Sequence, residues 1–151
     1  MKTDSILQPV KKIWMAAPRS YCPQHLILEV IGDKWTLLII RDMMINDKRY
    51  FREFLQSEES IASNILSNRL KSLETEGIIH RKQDPHHKQK IQYLLTQKGI
   101  DLFPILMENA RWSLKYKSVN EADAKIAQAI LDGGPERIQA MMKEMEAKHV
   151  V

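Results

Sequence analysis

The chain has 151 residues, 44% of them hydrophobic, which suits one cored domain with room for an appended piece and argues against disorder. Formal charge is only +4, no apolar run approaches the roughly 20 residues of a membrane-spanning helix, and MKTDSILQPVKK lacks the apolar stretch of a secretory leader. A single cysteine, Cys22, excludes an intrachain disulfide, leaves an interchain one open and fits a reducing compartment, so a cytoplasmic location is expected.

From Tyr21 onward the apolar residues fall into short helical groups. Leu26, Ile27, Val30 and Ile31 form one stripe, which Gly32 interrupts. Asp33 is placed to cap a second helix, whose Trp35, Leu37, Leu38, Ile39, Ile40, Met43 and Met44 are apolar enough to be central to the core. After the polar connection 46–49, Tyr50, Phe51, Phe54 and Leu55 predict a short helix. Residues 56–59 read as a turn. Ser60 then serves as the expected N-cap of a helix over 61–75, with Ile61, Ile65, Leu66, Leu70 and Leu73 at helical spacing and Gly77 ending it. The outer face of this helix carries Ser63, Asn64, Ser67, Asn68 and Lys71 in place of the usual Glu/Lys mixture, although Ser and Asn are mediocre helix formers.

The period changes over 78–96. Ile79, Arg81 and Gln83 alternate with their neighbours, as do Ile91, Tyr93 and Leu95, and the turn-type cluster Asp84-Pro85-His86-His87-Lys88 separates them. This predicts a two-stranded hairpin with a basic tip. Thr96 is placed to cap a long helix reaching Tyr116, with a kink expected at Pro104. Asn120 is placed to cap a further helix to Leu131. Asp132-Gly133-Gly134 breaks it, and Pro135 opens a last helix with Ile138, Met141, Met142 and Met145 on one side.

Charge is concentrated on part of this layout. Residues 60–98 hold seven basic residues (Arg69, Lys71, Arg81, Lys82, Lys88, Lys90, Lys98) against three acidic ones (Glu74, Glu76, Asp84), so this segment alone carries the whole +4. A localised basic patch is the electrostatic footprint of a polyanion partner. The order of elements is that of a winged helix-turn-helix: mainly α with a small β hairpin, here with extra C-terminal helices. In such a fold the polar-faced helix enters the major groove. There Asn pairs with adenine, Ser donates or accepts, and Lys reaches guanine or phosphate. The hairpin is then the wing, bringing Lys88 and Lys90, with His86 and His87, to the backbone. Arg69 has two readings, a phosphate contact or a brace to a carboxylate such as Glu53.

At these residues the chain resembles the HxlR-type, MarR-like bacterial transcriptional regulators. The matching stretches are Cys22-Pro23; Gly32-Asp33-Lys34-Trp35-Thr36-Leu37-Leu38-Ile39; Arg49-Tyr50-Phe51-Arg52-Glu53-Phe54; Ile61 to Leu73 with Leu66, Arg69 and Leu70; Glu76-Gly77-Ile78-Ile79; and Tyr93-Leu94-Leu95-Thr96 with Gly99, Pro104 and Trp112. The wing tip departs from the Pro-rich turn common in the family. The resemblance implies a homodimer that binds double-stranded DNA, with dimer contacts from the first helix and the long helix after the wing. Some members sense oxidants through a cysteine near Cys22, which makes Cys22 a candidate redox sensor; as a thiol near a helix N-terminus it can be activated. Its alternative is a small hydrophobe at the dimer interface.

Three divisions are expected: an N-terminal arm (1–20), the DNA-binding and dimerisation domain (21–117) and a helical extension (118–151). The function expected is a sequence-specific regulator, by default a repressor, acting as a homodimer on a palindromic operator and open to an unknown small-molecule effector. A winged-helix protein-interaction module without specific DNA binding is the alternative. No enzyme is expected, and no cofactor: the chain has no phosphate-binding Gly loop, no HExxH and no GxSxG. No metal site is expected either, because adjacent histidines such as His86 and His87 point apart. The methionine stripe reads as packing in preference to an effector pocket.

Overall fold

A computed structural model describes residues 17–150. Most of the expected N-terminal arm, residues 1–16, lies outside the described residues. The chain divides into two compact units, Met1–Asp33 and Lys34–Val151.

The first unit contains α1 (Pro23–Ile31), with Pro23 in its opening turn and Cys22 at the N-cap position in extended backbone. The helix stops at Gly32, whose N–H donates to the Leu28 carbonyl at 2.9 Å.

The second unit is built around α2 (Thr36–Met44), which buries Ile39, Ile40, Met43 and Met44. The N-cap position of α2 is Trp35, with no side-chain cap bond. Asp33 stands two residues too early to be the expected cap, because the chain bends through 33–35 before the helix starts. The short α3 (Phe51–Leu55) buries Phe54. Its first turn is tied by Glu53, whose Oε1 accepts from the backbone N–H groups of Arg49 (2.7 Å) and Tyr50 (3.1 Å).

The polar-faced helix is α4 (Ser63–Thr75), with Ala62 at its N-cap position. Ser60 is not the cap. It sits at φ 59°, and its N–H closes a turn on the Ser57 carbonyl at 2.9 Å. Ile61 is buried, and seating it keeps 61–62 outside the helix, so the helix begins at Ser63. Leu66, Leu70 and Leu73 carry the buried face, each worth about 1.5–3 kcal/mol on burial. Gly77, at φ 80°, ends the segment in a Schellman motif: Ile78 N–H donates to the Leu73 carbonyl (2.9 Å) and Gly77 N–H to the Glu74 carbonyl (3.0 Å).

The hairpin follows as expected. Strands β1 (Ile79–Gln83) and β2 (Ile91–Leu95) are antiparallel, with Ile79 opposite Leu95, Arg81 opposite Tyr93 and Gln83 opposite Ile91. A bridge between Tyr50 and Gln92 adds a third short edge.

The long helix expected after Thr96 is two helices. Thr96 caps only α5 (Gln97–Ile100), its Oγ1 accepting from Gly99 N–H at 3.1 Å. Pro104 does not kink a helix. It lies in the first turn of α6 (Phe103–Tyr116), where its missing N–H costs nothing. Gly99 allows α5 to approach the chain just ahead of β1, since a Cβ there would lie 2.2 Å from the Ile78 carbonyl oxygen.

Asn120 caps α7 (Glu121–Asp132) as expected, accepting from Asp123 N–H at 3.1 Å. Gly134, at φ 71°, begins α8 (Gly134–His149), with Pro135 in its first turn. α7 packs on α6, and α8 returns over α5, α6, α7 and β2. Met142 and Met145 are buried while Ile138 and Met141 are half-buried, so the stripe is packing.

Candidate nucleic-acid interface

Ser63, Asn64, Ser67, Asn68 and Lys71 are all exposed on α4, opposite the buried Leu66, Leu70 and Leu73. The helix therefore presents one continuous face of short hydrogen-bonding groups with a cation near its end. Arg69 is half-buried on the flank. Glu53, its alternative partner from the sequence, already holds the backbone at Arg49 and Tyr50.

The turn leading to α4 is braced by a charged cluster. Arg41 reaches Glu59 with two bonds, Nη1 to Oε2 at 2.8 Å and Nη2 to Oε1 at 2.9 Å. The buried Asp42 carboxylate accepts from Arg41 Nε and Nη2 (3.1 and 2.9 Å), Asn46 Nδ2 (3.0 Å) and Ser57 Oγ, with Lys48 Nζ at 3.5 Å. These bonds tie α2 to the connections on both sides of α3. The hydrogen bonds from Arg41 hold Glu59 below the usual carboxylate range, and Glu59 in turn raises Arg41. Sequence reasoning missed this cluster; two oppositely charged residues 18 positions apart carry no local signal.

The wing tip is built on Asp84. Its Oδ1 accepts from the N–H groups of His86 (2.7 Å) and His87 (3.1 Å), forming an Asx turn, and its Oδ2 accepts from the Tyr50 hydroxyl at 2.5 Å. That bond lowers the Asp84 pKa and raises that of Tyr50. Lys88, His86 and His87 are exposed. Lys90 is exposed as well, with Nζ 4.4 Å from the centroid of the Tyr50 ring, a cation–π arrangement. The predicted residues thus occupy two sites of the second unit, α4 and the wing. Cys22 belongs to the first unit, where it is exposed with Sγ 3.1 Å from Gln24 Oε1.

His149 was also missed. It is 1% exposed at the end of α8, and its Nδ1 accepts from Leu95 N–H at 3.0 Å. Burial first, then the neighbouring Arg49, lowers its pKa to about 4. An aromatic base near a helix end gives no hint in sequence that it satisfies a strand.

A tri-helical core with an exposed polar helix and a basic hairpin is the architecture of a winged helix-turn-helix DNA-binding protein. The HxlR-like helix-turn-helix family model matches residues 30–121. YybR of Bacillus subtilis, an uncharacterized helix-turn-helix-type transcriptional regulator, is 35% identical over 67% of this chain and 80% of its own. The redox regulator HypR in its oxidized form superposes with a TM-score of 0.57 at 35% identity, covering 65% of this chain and all of that one. The reduced form of the transcriptional regulator YodB from B. subtilis gives 0.53 at 30% identity, over 64% and 95% of the two chains; YodB is also known in a quinone-bound form. The chain belongs to the HxlR-like helix-turn-helix family, a family of DNA-binding transcriptional regulators. Among the described residues no helix is long and apolar enough to cross a membrane.

Proposed function

We propose that the protein is a homodimeric, sequence-specific repressor that reads a palindromic operator in the cytoplasm. Each protomer inserts α4 into a major groove and lays its wing on the adjacent backbone. The observation that carries this reading is the outward face of α4, where Ser63, Asn64, Ser67, Asn68 and Lys71 are all exposed over a fully buried leucine face. Asn64 and Asn68 are assigned to base edges, Ser63 and Ser67 to bases or phosphate, and Lys71, Arg69, Lys88 and Lys90 to phosphate. The first turn of α4 has no side-chain cap, which leaves its N–H groups to a phosphate oxygen.

Residues 21–117 form the DNA-binding and dimerisation domain in this reading, and 118–151 an extension of it. The dimer is supported by exposed apolar residues: Leu26 and Leu28 on α1, and Ile105, Trp112 and Tyr116 on α6, where the two aromatic rings lie 5.2 Å apart. Cys22 is the candidate receiver of an oxidising or electrophilic effector, supported by its exposure and by the redox and quinone-bound states of HypR and YodB. The test is selection from a randomised duplex library at fixed salt, before and after mild oxidation. A selected palindrome with half-sites about one helical turn apart is expected. Salt-sensitive binding without any selected sequence would refute the reading. Loss of selection on oxidation, prevented by Cys22→Ser, is the result expected for the sensor.

A further inference from the structure

α8 and nearly all of α7 lie beyond the span matched by the family, residues 30–121. Yet α8 ends against the base of the wing. One edge of β2 is paired with β1. Along the other edge, the N–H of Tyr93 donates to the Arg49 carbonyl at 2.7 Å, and two residues on, the N–H of Leu95 donates to His149 Nδ1 at 3.0 Å. The short third edge thus stops at Arg49–Tyr50, and a side chain from the C-terminal helix takes the next position in the ladder. A buried amide without an acceptor is costly, so something must fill that place.

The histidine is held there from several sides. α8, with Met142 and Met145 buried, packs on β2 and α5. His149 can accept only while Nδ1 is unprotonated. Burial, Arg49, Lys148 and His80 all favour that neutral form, and Asp47 alone opposes it. From Leu95, β2 runs directly to Ile91 and on to Lys90 and Lys88 at the tip.

We infer that His149 is a positioning residue for the wing: by completing the outer edge of β2 it makes the docking of α8 a condition for presenting Lys88 to DNA. The C-terminal helix pair is in this way an intramolecular control on operator affinity, and a partner that pulls α8 away would weaken binding without touching α4. The inference rests on the proposed phosphate role of the wing.

The test is a double-mutant cycle in the full chain, measuring affinity for the selected operator against salt. His149→Phe keeps the ring and removes the acceptor; His149→Asn keeps an acceptor near the Nδ1 position. Lys88→Ala in the wild-type background should weaken binding about threefold or more and flatten the salt slope by about one. In the His149→Phe background the same change should cost nothing, because the wing is already unseated. In His149→Asn it should cost the full amount. Amide exchange at Leu95 should quicken in His149→Phe and stay slow in His149→Asn. Equal cost of Lys88→Ala in every background overturns the inference and leaves the wing reading intact. No cost of Lys88→Ala in the wild type overturns the wing reading and the inference with it. Should His149→Phe fail to fold, His149→Ala, which removes the acceptor without adding bulk, decides the same cycle.

Discussion

Acid should loosen the C-terminal helix before it affects the rest of the domain. His149 titrates near 4 in the folded chain, against 6.5 when unperturbed, because burial and the cations Arg49 and Lys148 oppose its charged form. Between those values the unfolded chain binds a proton that the folded chain does not, so stability is complete above about pH 6.5 and falls as the pH falls. The difference of about 2.5 units corresponds to about 3 kcal/mol at most, of which about 2 kcal/mol is already lost at pH 5. The assay is urea unfolding at pH 7, 6 and 5 for wild type and for His149→Asn, which accepts the same bond and does not titrate. Carboxylates contribute equally to both proteins, so their difference isolates the histidine. The wild type should lose about 2 kcal/mol relative to His149→Asn between pH 7 and pH 5. Parallel stability curves would show that burial does not hold His149 neutral.

Other outcomes follow from single contacts. Asn64→Ala and Asn68→Ala should each weaken specific binding by about 1–3 kcal/mol if they read a base, and relax preference at one operator position; unchanged affinity and preference for both would mean that another face of α4 meets DNA. Asp42→Ala should destabilise by roughly 2–3 kcal/mol in denaturant melts, since it removes the buried carboxylate that Arg41, Asn46, Lys48 and Ser57 share; a loss under about 0.5 kcal/mol would show the cluster to be ornamental. Gly99→Ala should cost about 2–3 kcal/mol, because the clash is with the backbone carbonyl of Ile78, which has no freedom to move aside. Wild-type stability in that variant would mean that α5 can slide off the strand.

Much of this fold was legible because periodicity reports burial. Leu66, Leu70 and Leu73 recur at helical spacing and are buried together, and the alternation around Ile79 and Leu95 gave the hairpin. The misreadings came from signals with two meanings. A serine ahead of an apolar run suggested a cap at Ser60, but the following Ile61 belongs to the core and delays the helix. A proline inside a continuous helical pattern suggested a kink, but Pro104 is equally at home in a first turn, and the chain starts afresh there. The candidate DNA contacts on α4 were readable because they stand on one face of one helix. The groups that hold that face and the wing in place were not. Arg41 with Glu59, Tyr50 with Asp84 and Leu95 with His149 are 18, 34 and 54 positions apart, beyond the reach of any local pattern.

The junction between α4 and the hairpin has a consequence for target choice. Thr96 hydrogen-bonds the carbonyls of Gly77 and Ile78, Lys98 Nζ reaches the Glu76 carbonyl at 2.7 Å, and Gly99 sits against Ile78. The end of α4 and the base of the wing are therefore fastened at one knot only a few residues long. Under the proposed function each protomer works as a fixed caliper, whose two jaws touch the duplex at a set separation. An operator with altered internal spacing is then not followed by flexing within a protomer. Accommodation falls to the way two calipers are mounted on one another, and natural variants of a half-site should differ in bases far more readily than in length.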